Sequence, residues 1–181
     1  LPAHLGLIES TDAGETWQSL SLQGEADFHA LEVVGDRVYG YDATSGRLMT
    51  TTDREAWQTL ADGQFVDLAV TPSQPDRVVA TTPSGAVLEV GLDGATRTLP
   101  SAPALTWIDA RPDGGLVGIT GEGEVVTATG PDEEWQRTGR IPGTPAALEV
   151  TDSAWFAATE DSVHTSTDDG ATWSVVVGPG H

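Results

Sequence analysis

The sequence predicts an all-β fold, a β-propeller of four-stranded antiparallel blades, from three observations. A turn-like octapeptide recurs: Ser10-Thr11-Asp12-Ala13-Gly14-Glu15-Thr16-Trp17 returns as Ser166-Thr167-Asp168-Asp169-Gly170-Ala171-Thr172-Trp173, with a shorter copy at Thr51-Thr52-Asp53-Arg54-Glu55-Ala56-Trp57. With Trp as the marker, Trp17, Trp57, Arg97, Trp135 and Trp173 follow one another at intervals of 40, 40, 38 and 38 residues, the length of a four-stranded blade. Short runs rich in Val, Leu, Thr and Trp, punctuated by 21 Gly and 11 Pro, repeat within each period and show no sustained helical periodicity.

Taken in order, the runs 5–9 and 17–22 supply the outer strands C and D of a first blade. The second blade reads 28–34, 37–42, 47–52 and 57–60, and the third 65–71, 77–82, 86–90 and 96–99. The fourth reads 105–110, 116–120, 124–129 and 135–138, and the last 147–151, 154–159, 163–166 and 173–177. The expected domain is therefore single: residues 1–24 hold a half blade, and 25–62, 63–101, 102–142 and 143–181 are full blades. Because propellers close their rings to avoid bare sheet edges, the half blade implies upstream residues carrying its strands A and B and a larger ring. A five-bladed ring with one thin blade is the alternative.

Composition narrows the partners. With 38% hydrophobic residues in 181, the chain can bury a substantial core. Its 28 acidic residues face only 8 basic ones, all Arg, for a net charge of -20. Such a surface repels phosphate backbones and anionic membranes, and suits a cationic partner, a divalent metal or simple solubility. No cysteine is present, so redox logic says nothing about compartment. No run approaches the roughly 20 apolar residues of a membrane span, so this segment is not expected to insert in a membrane.

Each repeated turn makes sense as a hairpin device between strands C and D. An Asp carboxylate accepts N–H groups of its own turn, Gly supplies a positive φ, and the Trp plugs the gap between sheets. Ser10, Asp12, Gly14, Thr16, Trp17, Asp53, Trp57, Ser166, Asp168, Gly170, Thr172 and Trp173 are read as this structural set. The alternative, that the Asp residues are catalytic acids or calcium ligands, fits poorly with their repetition around the rim.

The two full turns resemble those of the Asp-box (BNR) repeat superfamily, and the runs 5–12, 25–32 and 38–42 resemble a bacterial family of exported propellers. Members of that family are described as glycosyl hydrolases or exo-alpha-sialidases. The resemblance implies an extracellular or cell-surface location and a longer N-terminal part. Sialidase chemistry would demand an arginine triad for the substrate carboxylate, a Tyr–Glu nucleophile pair and an Asp acid/base. Against that demand the chain offers 8 Arg and 2 Tyr. Its Arg140-Ile141-Pro142 matches the family's Arg-Ile-Pro signature but lies late in the chain, where it is read as coincidence.

Strand A lines the central channel of a propeller, so ligand groups should recur there. Stepping from His29 by one period reaches Asp67, then Asp109, a mixture of imidazole and carboxylate that a divalent cation in the channel would accept. The alternative is that these groups contact water and neighbouring backbone amides. His4 and His181 are read as terminal and solvated and His164 as packing. Tyr39, Tyr41, Trp107 and Trp155 are read as blade packing, with sugar stacking as the alternative for the tyrosines. No catalytic residue can be selected and no cofactor is required. The expected function is a non-catalytic binding or scaffold module for a protein, glycan or cation; a glycoside hydrolase whose catalytic residues lie partly elsewhere is the alternative.

Overall fold

The computed structural model describes residues 4–178; His181 lies outside them. Eighteen strands form four four-stranded antiparallel sheets and one two-stranded sheet, and no helix occurs among the described residues. The two-stranded sheet pairs β1 (Leu7–Glu9) with β2 (Gln18–Ser21). Blade I comprises β3 (Phe28–Val34), β4 (Arg37–Asp42), β5 (Arg47–Thr51) and β6 (Gln58–Asp62), and blade II β7 (Leu68–Ala69), β8 (Arg77–Thr81), β9 (Val87–Gly91) and β10 (Thr96–Thr98). Blade III comprises β11 (Trp107–Ala110), β12 (Leu116–Ile119), β13 (Glu124–Ala128) and β14 (Gln136–Arg140), and blade IV β15 (Pro145–Val150), β16 (Trp155–Thr159), β17 (Val163–Ser166) and β18 (Ser174–Val177).

Each blade is a meander in chain order, and the innermost strands β3, β7, β11 and β15 neighbour one another in succession, which sets the four blades in a ring as a β-propeller. The core lies between blades. One apolar cluster joins Tyr39, Leu48 and Leu60 of blade I to Leu68 and Val78 of blade II. A second joins Val79 and Val87 to Ile108 and Leu116, and a third joins Val117 and Val125 to Val150 and Trp155. Tyr39, Tyr41 and Trp155 are buried within these clusters, and Trp107 packs against the third while donating Nε1–H to Pro145 O at 3.0 Å. His164 is buried on β17, and its Nδ1 has no hydrogen-bond partner among the described residues.

Glycines on the second strands admit residues that lead into strand A. A Cβ on Gly40 would stand 2.7 Å from the Phe28 ring, and one on Gly118 would overlap Leu105, which is completely buried.

Two boundaries differ from the sequence expectation for a physical reason. The expected strand 65–71 is reduced to Leu68–Ala69, because Asp67 N–H donates to the Thr81 hydroxyl at 3.1 Å and the ladder is interrupted there. Each marker Trp stands just before strand D rather than inside it, at the end of the turn that delivers it.

Candidate functional site

The repeated turns use their polar groups on themselves. In the last one, Asp168 Oδ1 accepts Thr172 N–H at 2.9 Å and Ser166 Oγ–H at 2.8 Å, and Oδ2 accepts the Thr172 hydroxyl at 2.6 Å. Ser166 Oγ in turn accepts Gly170 N–H at 3.0 Å, while Asp169 and Gly170 both adopt positive φ, 55° and 80°. The first turn repeats this around Ser10, Asp12 and Thr16, with Gly14 N–H on Ser10 Oγ at 2.7 Å and the left-handed pair Ala13 and Gly14. The short copy lacks the Gly, has Arg54 alone at positive φ, and gathers Glu55 N–H and Ala56 N–H on Asp53 Oδ1 at 2.9 and 2.8 Å. Hydrogen bonds from Thr16 and Ser10 hold the Asp12 carboxyl below its ordinary value, and those from Thr172 and Ser166 do the same for Asp168.

These carboxylates therefore brace hairpins and leave little acceptor capacity for a ligand. Asp168→Ala is expected to lower the melting temperature by several degrees and to leave any ligand affinity unchanged; an unaltered melting curve in differential scanning calorimetry would contradict it.

The tryptophans that end the turns reach back to the preceding sheet. Trp57 donates Nε1–H to Ser21 Oγ at 2.9 Å and packs on Phe28 with ring centroids 4.8 Å apart, so it bridges blade I and the β1–β2 sheet. Trp135 and Trp173 lie against the blade II–III and III–IV clusters. Trp17 departs from the expected plug: it is 60% exposed, with its Nε1–H donated to Gly14 O of its own turn at 3.1 Å. In blade II, Arg97 takes the place of the indole and grips Asp132 on the C–D turn of blade III.

Carboxylates on or beside the inner strands tie successive blades together. Asp67 Oδ2 accepts Ile108 N–H at 3.0 Å, and Asp109 Oδ2 accepts Val150 N–H at 2.6 Å, so each latches onto the inner strand of the following blade. Glu32 on β3 joins them. Burial, reinforced by repulsion from Asp109, Asp67 and Glu149, pushes the Glu32 carboxyl up to about 8. Burial likewise raises Asp109 to about 7, against the pull of the Val150 and Ala110 N–H groups, and Asp67 to about 6.

His29 is placed elsewhere. It is the extra residue of a bulge between Phe28 and Ala30, its side chain is 59% exposed, and its Nε2 lies 3.1 Å from Asp27 Oδ2. His29 is out of register with Asp109: Glu32, Asp109 and Glu149 face Tyr39, Val117 and Phe156 on their second strands, so the residue of β3 that matches Asp109 is Glu32, three positions beyond His29. Among the described residues, no three His, Cys, Asp or Glu side chains are gathered closely enough to hold a metal ion. His4 is half-buried, with Nδ1 3.4 Å from the Thr44 hydroxyl.

The arginines are dispersed over the blades. Arg37, Arg54, Arg111 and Arg137 each pair with a carboxylate (Asp76, Glu9, Asp113 and Glu124), and Arg111 also lies over the Trp155 ring at 5.9 Å. Arg140 of the Arg-Ile-Pro run is exposed at the end of β14. Among the described residues, the one carboxylate shared by two arginines is Glu89.

A ring of four-stranded blades of this kind defines a β-propeller, and comparison with solved structures agrees. The chain is similar to a chain of a nidogen–laminin complex (TM-score 0.75, 13% identity, covering 90% of this chain and 69% of that one). It is also similar to YCF48 bound to a D1 peptide (TM-score 0.62, 22% identity, 94% and 60%) and to PorZ, a surface component of the type-IX secretion system of Porphyromonas gingivalis (TM-score 0.63, 18% identity, 82% and 20%). It thus spans less than two thirds of the last two. No protein-family model and no curated protein matches the sequence.

Proposed function

We propose that this chain is a propeller of the Asp-box type that serves as a non-catalytic binding or scaffold module, exported or attached to a cell surface, with a protein as its principal partner. The observation that carries this reading is how the polar groups are used. Turn carboxylates brace their own hairpins, Asp67 and Asp109 latch neighbouring blades, and six of the eight arginines are paired with acids, so the fold presents fixed loops rather than an assembled reactive set. The similar chains come from a nidogen–laminin complex and from YCF48 bound to a D1 peptide, which supports a protein ligand, and the surface setting of PorZ supports an external location. A net charge of -20 favours a partner with basic surface over nucleic acid.

Surface plasmon resonance against immobilised basic peptides and glycans, run beside hydrolysis assays with fluorogenic sialosides and neutral glycosides, tests it. Saturable binding without turnover is expected. Turnover above that of a heat-inactivated sample would favour a hydrolase instead.

A further inference from the structure

The exceptional pair of arginines borders a cleft. Glu89 on β9 is only 2% exposed; its Oε1 accepts Arg77 Nη1–H and Arg97 Nε–H, and its Oε2 accepts Arg97 Nη2–H at 2.9 Å. Arg97 is saturated, since Asp132 takes its remaining edge. Arg77 is held through Nη1 alone; its Nε and Nη2 have no acceptor among the described residues, and its side chain is 54% exposed.

Arg77 lines a cleft of about 480 Å³ between the β7–β8 loop and the Arg97–Asp132 pair, with Ser73, Gln74 and Pro75 on the other wall. The loop is pre-organised. Tyr39, fully buried with its phenol pushed up to about 12 mainly by that burial, stays a donor and gives its O–H to Pro75 O at 2.7 Å. Gln74 N–H and Arg77 N–H close turns on Thr71 O and Gln74 O. The Ser73 hydroxyl and Gln74 side-chain amide have no partner among the described residues, so unengaged donors face a guanidinium fixed from behind by a buried acid. Asp76, which also lines the cleft, pairs with Arg37 at 3.7 Å.

We propose that this cleft binds the C-terminal carboxylate of a peptide. The two carboxylate oxygens accept side-on from Nε and Nη2 of Arg77, the fork geometry that distinguishes arginine, and Ser73 and Gln74 supply further donors. On so acidic a surface the contact depends on this local geometry rather than on long-range attraction. It also stands apart from the scaffold reading, because the cleft can hold a carboxylate whether or not another face holds a protein.

The test is an NMR titration with acetyl-Gly-Gly-Ala, its C-terminal amide and inorganic phosphate. The free acid is expected to give saturable shifts confined to residues 73–77 and their neighbours, weakened roughly tenfold in Arg77→Gln and unchanged in Arg47→Gln, which alters an exposed arginine on blade I. Should Arg77→Gln fail to fold, the double variant Ser73→Ala, Gln74→Ala is expected to weaken the acid as well. Equal response to acid and amide, no shift near residues 73–77, or saturation by phosphate alone would overturn the proposal.

Discussion

Glu89→Ala is expected to destabilise the propeller by about 2 kcal/mol and lower its melting temperature by roughly 5 °C. Burial alone would disfavour the Glu89 anion, but the hydrogen bonds and charges of Arg97 and Arg77 outweigh it and hold the carboxyl below its ordinary value. Removing the acid leaves Arg77 without its anchor and Arg97 with Asp132 alone, and it opens space beside Val79, its neighbour across the sheet. The loss is kept moderate because both guanidinium groups are half exposed and water can replace part of the bonding. Glu124→Ala, which removes a partner of Arg137 that is itself 38% exposed, is expected to change stability by less than about 0.5 kcal/mol. Thermal or denaturant unfolding of both variants checks the contrast; equal effects would show that the Glu89 cluster is an ordinary surface pair.

The second large effect concerns pH. Glu32, Asp109 and Asp67 titrate near 8, 7 and 6 in the folded chain, against ordinary values of 4.5 for the Glu and 3.8 for each Asp. Between those ranges the folded chain holds protons that the unfolded chain has released, so stability falls as pH rises from about 4 to about 8. After discounting for water near the axis, the loss is on the order of 2–3 kcal/mol. The turn carboxylates act with the opposite sign: Asp12, Asp53 and Asp168 are held below 3.8, so their contribution is lost as pH falls through that region. Maximum stability is thus expected near pH 4, where the two windows meet.

The repeat was legible because its chemistry is local. A hairpin that satisfies Ser, Asp, Gly and Thr within a few residues leaves the same pattern wherever it recurs, and the period between copies specifies the blade. Long-range use of charge was harder to read. Glu89 sits in the apolar run Val87–Val90 with Arg77 and Arg97 ten or so residues to either side, and only the meander brings all three together. An acid inside a strand of Val and Leu was the available signal, as was an arginine standing in phase with the tryptophans. Glu32 is not reached by stepping from His29 because the steps to Asp67 and Asp109 differ in length, 38 and 42 residues, and strand register, which places Glu32 with Asp109, leaves no mark in the sequence.

Burial and mutual repulsion of acids on successive inner strands is the feature from which the pH response follows. Thermal unfolding of the wild-type chain and of Glu32→Gln across pH 5 to pH 8 measures it directly. The expected result is a wild-type melting temperature that falls by about 5 °C or more over that range and a visibly flatter profile for Glu32→Gln, with the variant more stable than wild type at pH 8. A wild-type melting temperature that rises toward pH 8, or a variant whose profile parallels it, would contradict that burial and repulsion.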